Sequence, residues 1–357
     1  MSIFIRSSAC LSPQNTFGEN SLGTEIIEHR ETWLRPIEPD YSKLIDHKAL
    51  RRMSHVIRMG VATARKCLDQ ASVSMPDAIM VGTAYGSLES SSSFLISTIE
   101  RNEEDLSPKE FMQSTHNTVA SQIALSLKCH GHNNNFGHKG FSFESAVQEG
   151  IMLLNDQDAA SVLVGGIDEM TDTSFAILSR LGLYKRNPVL NLDIFKSPSK
   201  GTIGGEGAAF FFLSKKASPA NLAELVGIQI FYKPIDGREI EQRIENFLKA
   251  KGIQVSDIDL LIAGKNGDPK NDQVYENLAA GIFRSTPRAC YKHLCGDYPT
   301  SSSFALWLAA GIVQSGLVPP VIKDGNAATR NPKRVLIYNC YLGSYHSLML
   351  LSDRKES

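Results

Sequence analysis

Residues 129–145, CHGHNNNFGHKGFSFES, bring together side chains of types that could do chemistry. Cys129, His130, His132 and His138 are all of the types that bind zinc. If residues 132–136 form a strand, however, the alternation of side chains divides these groups between its two faces. We therefore predict no metal site in this stretch.

A glycine-rich turn in the same stretch has the layout of a catalytic elbow. Residues 132–136 are predicted as a short strand, Gly137 and Gly140 allow a tight turn, and Ser142 or Ser145 could cap the helix that follows. Such a unit directs a helix N-terminus, with its free N–H groups, at whatever side chain occupies the turn. A cysteine there would be a thiolate nucleophile. This chain has Gly140 in that place.

Two other catalytic patterns are weak. Ser142 lies in Gly-Phe-Ser-Phe-Glu, which does not fit the G-x-S-x-G pattern of a hydrolase elbow. The glycines between Gly201 and Gly207 precede an apolar strand, whereas a dinucleotide-binding loop opens a helix. We predict neither a hydrolase nor a bound cofactor.

Composition limits the functional class. The 357 residues are 42% hydrophobic and carry a formal net charge of −1, which favours a globular protein and gives no electrostatic case for nucleic acid. No apolar run approaches the roughly 20 residues needed to span a bilayer, and the N-terminus lacks the long apolar core of a signal peptide. The six cysteines form no C-x-x-C pair. These features predict a cytoplasmic protein.

Apolar periodicity predicts the elements that position the turn. Apolar residues recur at helical spacing from His47 to Gln70, so an amphipathic helix is expected, with Lys48, Arg51 and Arg52 among its early exposed positions. Residues 108–127 are predicted as a loop followed by a helix. Strands are predicted at residues 3–11, 77–82, 160–164, 208–213, 334–339 and 347–351.

The second half of the chain repeats the plan of the first. Asp259 to Gly264 matches Asp77 to Gly82 in character, and Lys292 to Asp297 leads into a helix predicted at residues 302–315. A repeated β-α-β unit predicts an α/β fold of two similar halves with parallel-type sheets buried between helices. The halves are predicted as residues 1–216 and 217–357. The turns around Gly140, Gly264 and Asp297 are then expected to face one another.

Over nearly its full length the sequence resembles the β-ketoacyl-acyl-carrier-protein synthases of the thiolase fold. The resemblance implies a layered α-β-α-β-α architecture of two pseudo-symmetric halves. It rests on six segments, which are RRMSHVIRMGVATARKCLDQA, VGTAYGSLES, SPKEFMQSTHNTVASQIALSLK, KGTIGGEGAAFFFLS, GKNGDPKND and YKHLCGD.

The resemblance also implies which catalytic groups are missing. Family members use a cysteine to hold the acyl chain and two histidines to assist decarboxylative condensation. Gly140 occupies the cysteine position, Gly264 and Asp297 occupy the histidine positions, and Lys292 is retained. Glycine offers no nucleophile, and an anionic Asp297 would repel the developing negative charge. The sequence is similar to chain length factors, and HKGFSFES resembles those of aryl-polyene and flexirubin-type pathways.

A chain length factor is expected to pair with an active ketosynthase and to help wall its acyl tunnel. On this resemblance Lys48, Arg51 and Arg52 are candidates for docking the acidic acyl carrier protein, although a charged helix face is often only solvated. Leu342 lies near the position of the family's aromatic gate. The candidate tunnel and interface residues are Phe111, Met112, His116, Phe136, His138 and Leu342.

Other interpretations remain open. The scaffold could host altered chemistry, such as acyl transfer, decarboxylation or dehydration, that uses Asp297, Lys292 or His138. It could also form a stand-alone homodimer that binds acyl chains or carrier proteins. Gly140 could simply satisfy a turn with positive φ, and Asp297 could cap the following helix or pair with Lys292.

Overall fold

A computed structural model describes residues 2–196, 199–325 and 331–353. Within them the strands are β1 (Phe4–Leu11), β2 (Arg30–Glu31), β3 (Trp33–Leu34), β4 (Ala78–Gly82), β5 (His132–Phe136), β6 (Ser161–Asp168), β7 (Val189–Leu190), β8 (Gly204–Gly205), β9 (Gly207–Ser214), β10 (Ala223–Tyr232), β11 (Leu260–Ala263), β12 (Arg288–Cys290), β13 (Lys323–Asp324), β14 (Arg334–Tyr341) and β15 (Tyr345–Ser352). The helices are α1 (His47–Leu50), α2 (His55–Ala71), α3 (Leu88–Glu100), α4 (Pro108–Ser114), α5 (Thr118–Leu127), α6 (Ser142–Asp156), α7 (Asp172–Arg180), α8 (Gly237–Lys249), α9 (Pro269–Ala280), α10 (Lys292–Cys295) and α11 (Ser302–Ser315).

The main sheet contains the duplication that the sequence predicts. Its strand order over the described residues is β13-β12-β11-β14-β15-β10-β1-β9-β6-β4-β5. If the two-residue β13 is left out, each half contributes five strands. Numbered in chain order within its half, each set runs third, second, fourth, fifth, first from the outer edge of the sheet to its centre. The halves join where β1 pairs with β10 through Phe4–Glu224 and Ile5–Ala223. The boundary predicted after residue 216 falls between β9 and β10, and the division into two domains stays a prediction.

Side-chain alternation along the strands creates the layers. On β4, Met80 packs in the central apolar cluster with α6 and α11, whereas Ile79 packs on the opposite side with α2 and α5. On β11, Ile262 faces the central cluster and Leu261 faces α8 and α9. The layers are therefore helix, sheet, helix, sheet and helix. Burial of each such aliphatic side chain contributes about 1.5–3 kcal/mol.

The central layer explains the composition of α11. Every residue of this helix from Ser302 to Val313 is buried, because one sheet half covers each of its sides. A helix enclosed in this way is apolar all round and shows no amphipathic stripe. No helix among the described residues is both long and apolar enough to cross a membrane.

The single helix predicted from His47 to Gln70 is wrong, because the chain forms α1 and α2 with a turn between them. Asp46 caps α1 by accepting from the backbone N–H groups of Lys48 and Ala49. In the turn, the Arg58 side chain donates to the Met53 carbonyl at 3.0 Å. The apolar period hides this break because Met53 stays buried.

Residues 108–127 also differ from the predicted loop and helix. They form two helices, α4 and α5, because the Ser107 hydroxyl caps the first turn of α4 and a proline occupies its first position. The two helices are separated by the short connection Thr115–Asn117.

Candidate functional site

Gly140 lies in a 3-10 turn at residues 139–141, between β5 and α6. The positive φ of this turn belongs to Lys139, at 49°, and not to Gly140. The interpretation of Gly140 as the positive-φ residue is therefore wrong. The predicted serine cap is also absent, because Phe141 holds the N-cap position of α6. Ser142 instead accepts from the backbone N–H of His138 at 2.9 Å and steadies the turn.

Gly140 is required because aromatic side chains already fill the space. A Cβ at this position would lie 2.8 Å from Cδ1 of Tyr341 and 2.9 Å from Cβ of Tyr345. Carbon atoms this close overlap strongly, so any side chain here would have to displace the strand ends of β14 and β15. The turn at Gly140 is thus closed to a side chain.

The filling residues form one aromatic cluster. The rings of Phe141 and Tyr345 lie 5.0 Å apart edge to face, and Tyr345 lies 5.0 Å from Tyr232 and 6.4 Å from Tyr341. Phe141 and Tyr341 are buried. Edge-to-face and tilted pairs of this kind add about 0.5–1.5 kcal/mol each beyond their buried area. The cluster therefore stabilises the closed turn.

Gly264, at the end of β11, is closed in the same way. A Cβ there would lie 2.5 Å from Oδ1 of Asn339 and 2.7 Å from the Tyr275 hydroxyl oxygen. Asn339 is fixed by a hydrogen bond from the Tyr291 hydroxyl at 3.0 Å. A histidine at residue 264 has no room.

The C-terminal end of β14 lies between the two glycines. Asn339 contacts the Gly264 position and Tyr341 contacts the Gly140 position. Both side chains point to the same side of β14, since they are two residues apart. One strand end thus closes both positions.

Lys292 and Asp297 form a buried ion pair. Nζ of Lys292 lies 2.8 Å from Oδ1 of Asp297, and their side chains are 0% and 6% exposed. The Asn266 amide donates to the second carboxylate oxygen at 2.8 Å. Of the two structural roles considered for Asp297, pairing with Lys292 is the one present. Both oxygens of the Asp297 carboxylate are therefore already engaged by other side chains.

A thiol and an imidazole do meet elsewhere, on the outer side of β14. Sγ of Cys340 lies 3.6 Å from Nε2 of His346, whose Nδ1 lies 2.8 Å from the Tyr338 hydroxyl. Burial raises the pKa of Cys340 to about 12 and lowers the pKa of His346 to about 4. Both groups are therefore neutral at pH 7. Cys340 packs in the cluster with α8 and α9, and His346 stacks on Phe231 of that cluster, so neither lies beside Gly140.

Two cavities adjoin the closed site. An inner, mainly apolar cavity of about 130 Å³ is lined by residues that include Tyr85, Met170 and Ile177. An outer cavity of about 370 Å³ reaches Asp297 and Leu342. Tyr184 and Tyr341 line both, and neither Gly140 nor Gly264 lines either.

The predicted tunnel and interface residues lie mostly at the surface. Phe111 and Met112 on α4 are 55% and 63% exposed, and the Phe111 ring lies 5.5 Å from the ring of Phe94 on α3. His116 and His138 are exposed, Leu342 is 42% exposed and Phe136 is partly buried. None of these residues lines the inner cavity.

Lys48, Arg51 and Arg52 are exposed on α1 and the turn that follows it. They form no ion pair among the described residues. The side-chain amide of Gln113 donates to the Arg52 carbonyl, which places this basic group beside the C-terminal end of α4.

The buried carboxyl groups that sequence reasoning missed include Asp168 and Glu144. Asp168 accepts four hydrogen bonds, from the Thr83 and Thr300 hydroxyls and from the backbone N–H groups of Ala84 and Thr300. Burial raises the pKa of Asp168 to about 6, although these hydrogen bonds act to lower it. The signal for Asp168 in the sequence is its position two residues after Gly166, at the end of an apolar strand.

Glu144, one turn beyond Gly140, is fully buried. Its Oε1 accepts from the Ser347 hydroxyl at 2.8 Å, and its Oε2 has no hydrogen-bond partner among the described residues. Burial raises its pKa, which favours the neutral acid. A glutamate in the first turn of a helix is ordinary in sequence, so no signal marked it.

Comparison with known proteins agrees with this architecture. Residues 29–182 match the family described as Beta-ketoacyl synthase, N-terminal domain. No curated protein matches the chain.

Among solved structures, the ishigamide ketosynthase/chain length factor superposes with a TM-score of 0.81 at 17% identity, covering 98% of each chain. A beta-ketoacyl synthase from Burkholderia phymatum STM815 gives 0.79 at 15% identity, covering 99% of each. The AntDE:AntF complex, a type II polyketide synthase acyl-carrier protein with its ketosynthase bound to the hexaketide, gives 0.76 at 12% identity, covering 99% of each.

The chain therefore has the thiolase-like α/β fold, as the sequence predicts. Its N-terminal part matches the ketosynthase N-terminal domain.

Proposed function

We propose that this chain is a catalytically inactive, ketosynthase-like subunit, a chain length factor that pairs with an active ketosynthase. The observation that carries the proposal is the contact of Tyr341 and Tyr345 with Gly140, since a Cβ there would lie 2.8–2.9 Å from their atoms. Covalent catalysis needs a nucleophile that a substrate can reach. This turn neither has one nor has space for one.

The remaining positions support the same conclusion. Condensation by decarboxylation requires donors aimed at developing negative charge. Gly264 supplies none, and Asp297 brings a carboxylate that Lys292 and Asn266 already hold. An inactive role accounts for all three changes together.

The surface supports pairing. Five apolar side chains on two adjacent helices, each more than half exposed, form what we call the α3–α4 ridge: Leu95, Ile96, Ile99, Phe111 and Met112. Strand β5 forms the edge of the sheet opposite β13 and, among the described residues, pairs with β4 alone. Contiguous exposed apolar surface and an open strand edge both mark interaction sites. We propose that the ketosynthase covers them and that Phe111, Met112 and His116 help to wall its acyl tunnel.

We further propose a role in cytoplasmic synthesis of polyene chains of the aryl-polyene or flexirubin type. In this role the acyl carrier protein docks on Lys48, Arg51 and Arg52. Their exposure and lack of ion pairs support this assignment. Charge reversal at Arg51 and Arg52 is expected to weaken carrier binding at low salt, measured by fluorescence titration with labelled carrier protein.

The proposal is tested by reconstitution with a candidate ketosynthase that carries the catalytic cysteine and both histidines, acyl carrier protein and malonyl donor. We expect a one-to-one complex, and chain elongation that requires both subunits. Full elongation by the ketosynthase without this chain would refute the proposed role.

One observation favours a second candidate, an enzyme of altered chemistry. The outer cavity of about 370 Å³ reaches Asp297, so a small ligand could approach the Lys292–Asp297 pair. Turnover of an acyl thioester by this chain alone, lost in Asp297→Asn, would support this candidate over the first.

A further inference from the structure

The α3–α4 ridge carries opposite charge at its two ends. At the C-terminal end of α3, the connection to α4 is acidic and exposed. Residues 100–110 hold five carboxylates and two cations, a local charge of 2 − 5 = −3 in a chain whose formal net charge is −1. The carboxylates are those of Glu100, Glu103, Glu104, Asp105 and Glu110. We call Glu100–Asp105 the acidic loop.

The charge of the acidic loop is not neutralised within the chain. Among the described residues, no ion pair involves Glu100, Glu103, Glu104 or Asp105. The nearby Arg101 donates to the backbone carbonyl of Asp105 at 2.8 Å, not to a carboxylate. The loop directly follows Ile99, the most exposed ridge residue at 77%. Free carboxylates therefore border the apolar surface.

The other end of the ridge adjoins the exposed cations Lys48, Arg51 and Arg52, and we call it the basic end. The Gln113 amide bonds to the Arg52 carbonyl, and the backbone N–H of His55 donates to Glu89 in the first turn of α3 at 3.1 Å. The 13 residues of α3 span about 20 Å at 1.5 Å per residue. Since the Debye length is about 8 Å at physiological salt, the two ends act as separate charged regions.

We propose that the subunit covering the ridge presents a cationic surface to the acidic loop, and that this contact selects and orients the partner. The inference rests on the proposed function and commits to the active ketosynthase as the occupant. Apolar burial supplies affinity with little direction, whereas complementary charge at a rim controls association rate and register. The acidic loop also repels an acidic carrier protein and leaves the basic end to it.

The test compares binding of the ketosynthase used in the reconstitution to four forms of the full chain by mass photometry at 50 and 300 mM NaCl. The forms are wild type, Glu103→Lys/Glu104→Lys, the control Asp156→Lys/Asp158→Lys, and Phe111→Asp. The control makes the same charge change at two exposed residues, one at the C-terminal end of α6 and one just after it. We expect the loop variant to bind at least tenfold more weakly than wild type at 50 mM salt and to lose most of its salt dependence. Phe111→Asp should bind poorly at both salt concentrations.

The outcomes separate the two proposals. If wild type does not bind the ketosynthase, the proposed function fails. If wild type binds and the loop variant matches the Asp156/Asp158 control, only the charge inference is overturned. Self-association of wild type that excludes the ketosynthase would show that a second copy of this chain is the occupant, which also overturns it.

Discussion

Tyr341 and Gly140 come from opposite halves of the chain and meet at the turn between β5 and α6. Cδ1 of the tyrosine would lie 2.8 Å from a Cβ at residue 140. Asn339, two residues earlier on the same strand, excludes a side chain at Gly264. Both glycine positions are thus closely packed, so a side chain added at either should have a measurable energetic cost.

Gly140→Ala should destabilise the fold by about 1–3 kcal/mol, because it overpacks a buried contact. Its cost should be smaller in a Tyr341→Ala background, where the ring is absent but the Cβ atoms of Tyr341 and Tyr345 remain. Urea denaturation of wild type, the two single variants and the double variant measures the coupling between residues 140 and 341. Gly23→Ala is the control, since nothing lies within 4 Å of its added Cβ. Equal costs for Gly140→Ala and Gly23→Ala would contradict the closed turn.

Breaking the buried ion pair should be costly from either side. Lys292→Met or Asp297→Asn leaves one charge unpaired in the interior, which costs about 3–5 kcal/mol. The double variant should recover much of that loss. Lys196→Met breaks the exposed pair with Asp193, 2.8 Å apart, and should change stability by under about 1 kcal/mol. Unfolding free energies that are additive for the double variant would show that the pair is not coupled.

Glu206 should make the protein less stable as pH rises toward neutrality. Burial raises its pKa from 4.5 to about 7, opposed by the His55 cation. The folded state therefore holds this proton more tightly than the unfolded state, and the stabilisation present below pH 4.5 is lost as pH rises through 7. Relative to Glu206→Gln, the free energy of unfolding of wild type should fall by about 3 kcal/mol between pH 4.5 and 8. Unfolding curves across this range that stay parallel for the two proteins would refute it.

Ridge side chains should set product length in the reconstituted pair. Phe111→Ala is expected to lengthen the chains by at least one two-carbon unit, and Met112→Trp to shorten them, because each changes the volume of the proposed tunnel wall. Mass spectrometry of carrier-bound products gives the lengths. Leu317→Ala, a truncation of another exposed leucine (72%), is the control. An unchanged length distribution in both ridge variants would remove these residues from the tunnel.

Local signals in the sequence were enough to place most of the long strands and α11, whose predicted bounds of 302–315 match the structure. Helices α3, α7 and α9 and strand β10 were missed. For α9 a signal existed, since Asp268 caps the helix and Pro269 begins it. The break between α1 and α2 was not predicted because the helical spacing of apolar residues continues through it.

The sequence likewise predicts some residues of the candidate site and not others. Motif spacing predicts Gly140, Gly264 and Asp297 as the altered positions, because they lie inside segments that resemble the family's motifs. It does not identify Tyr341 or Asn339 as the residues that fill the space, since these contacts join positions 75 to 201 residues apart. Such contacts depend on the pairing of β14 with β11 and β15. The exposure of Phe111 and the charges at the two ends of the ridge likewise could not be predicted from the sequence, because they depend on the packing of α3 on α4.

The most direct test of the central claim is release of labelled carbon dioxide from malonyl-acyl-carrier protein by the purified chain alone. We predict release no faster than the uncatalysed background, with or without an acyl primer. Decarboxylation or acyl extension by the isolated chain above that background would contradict the account.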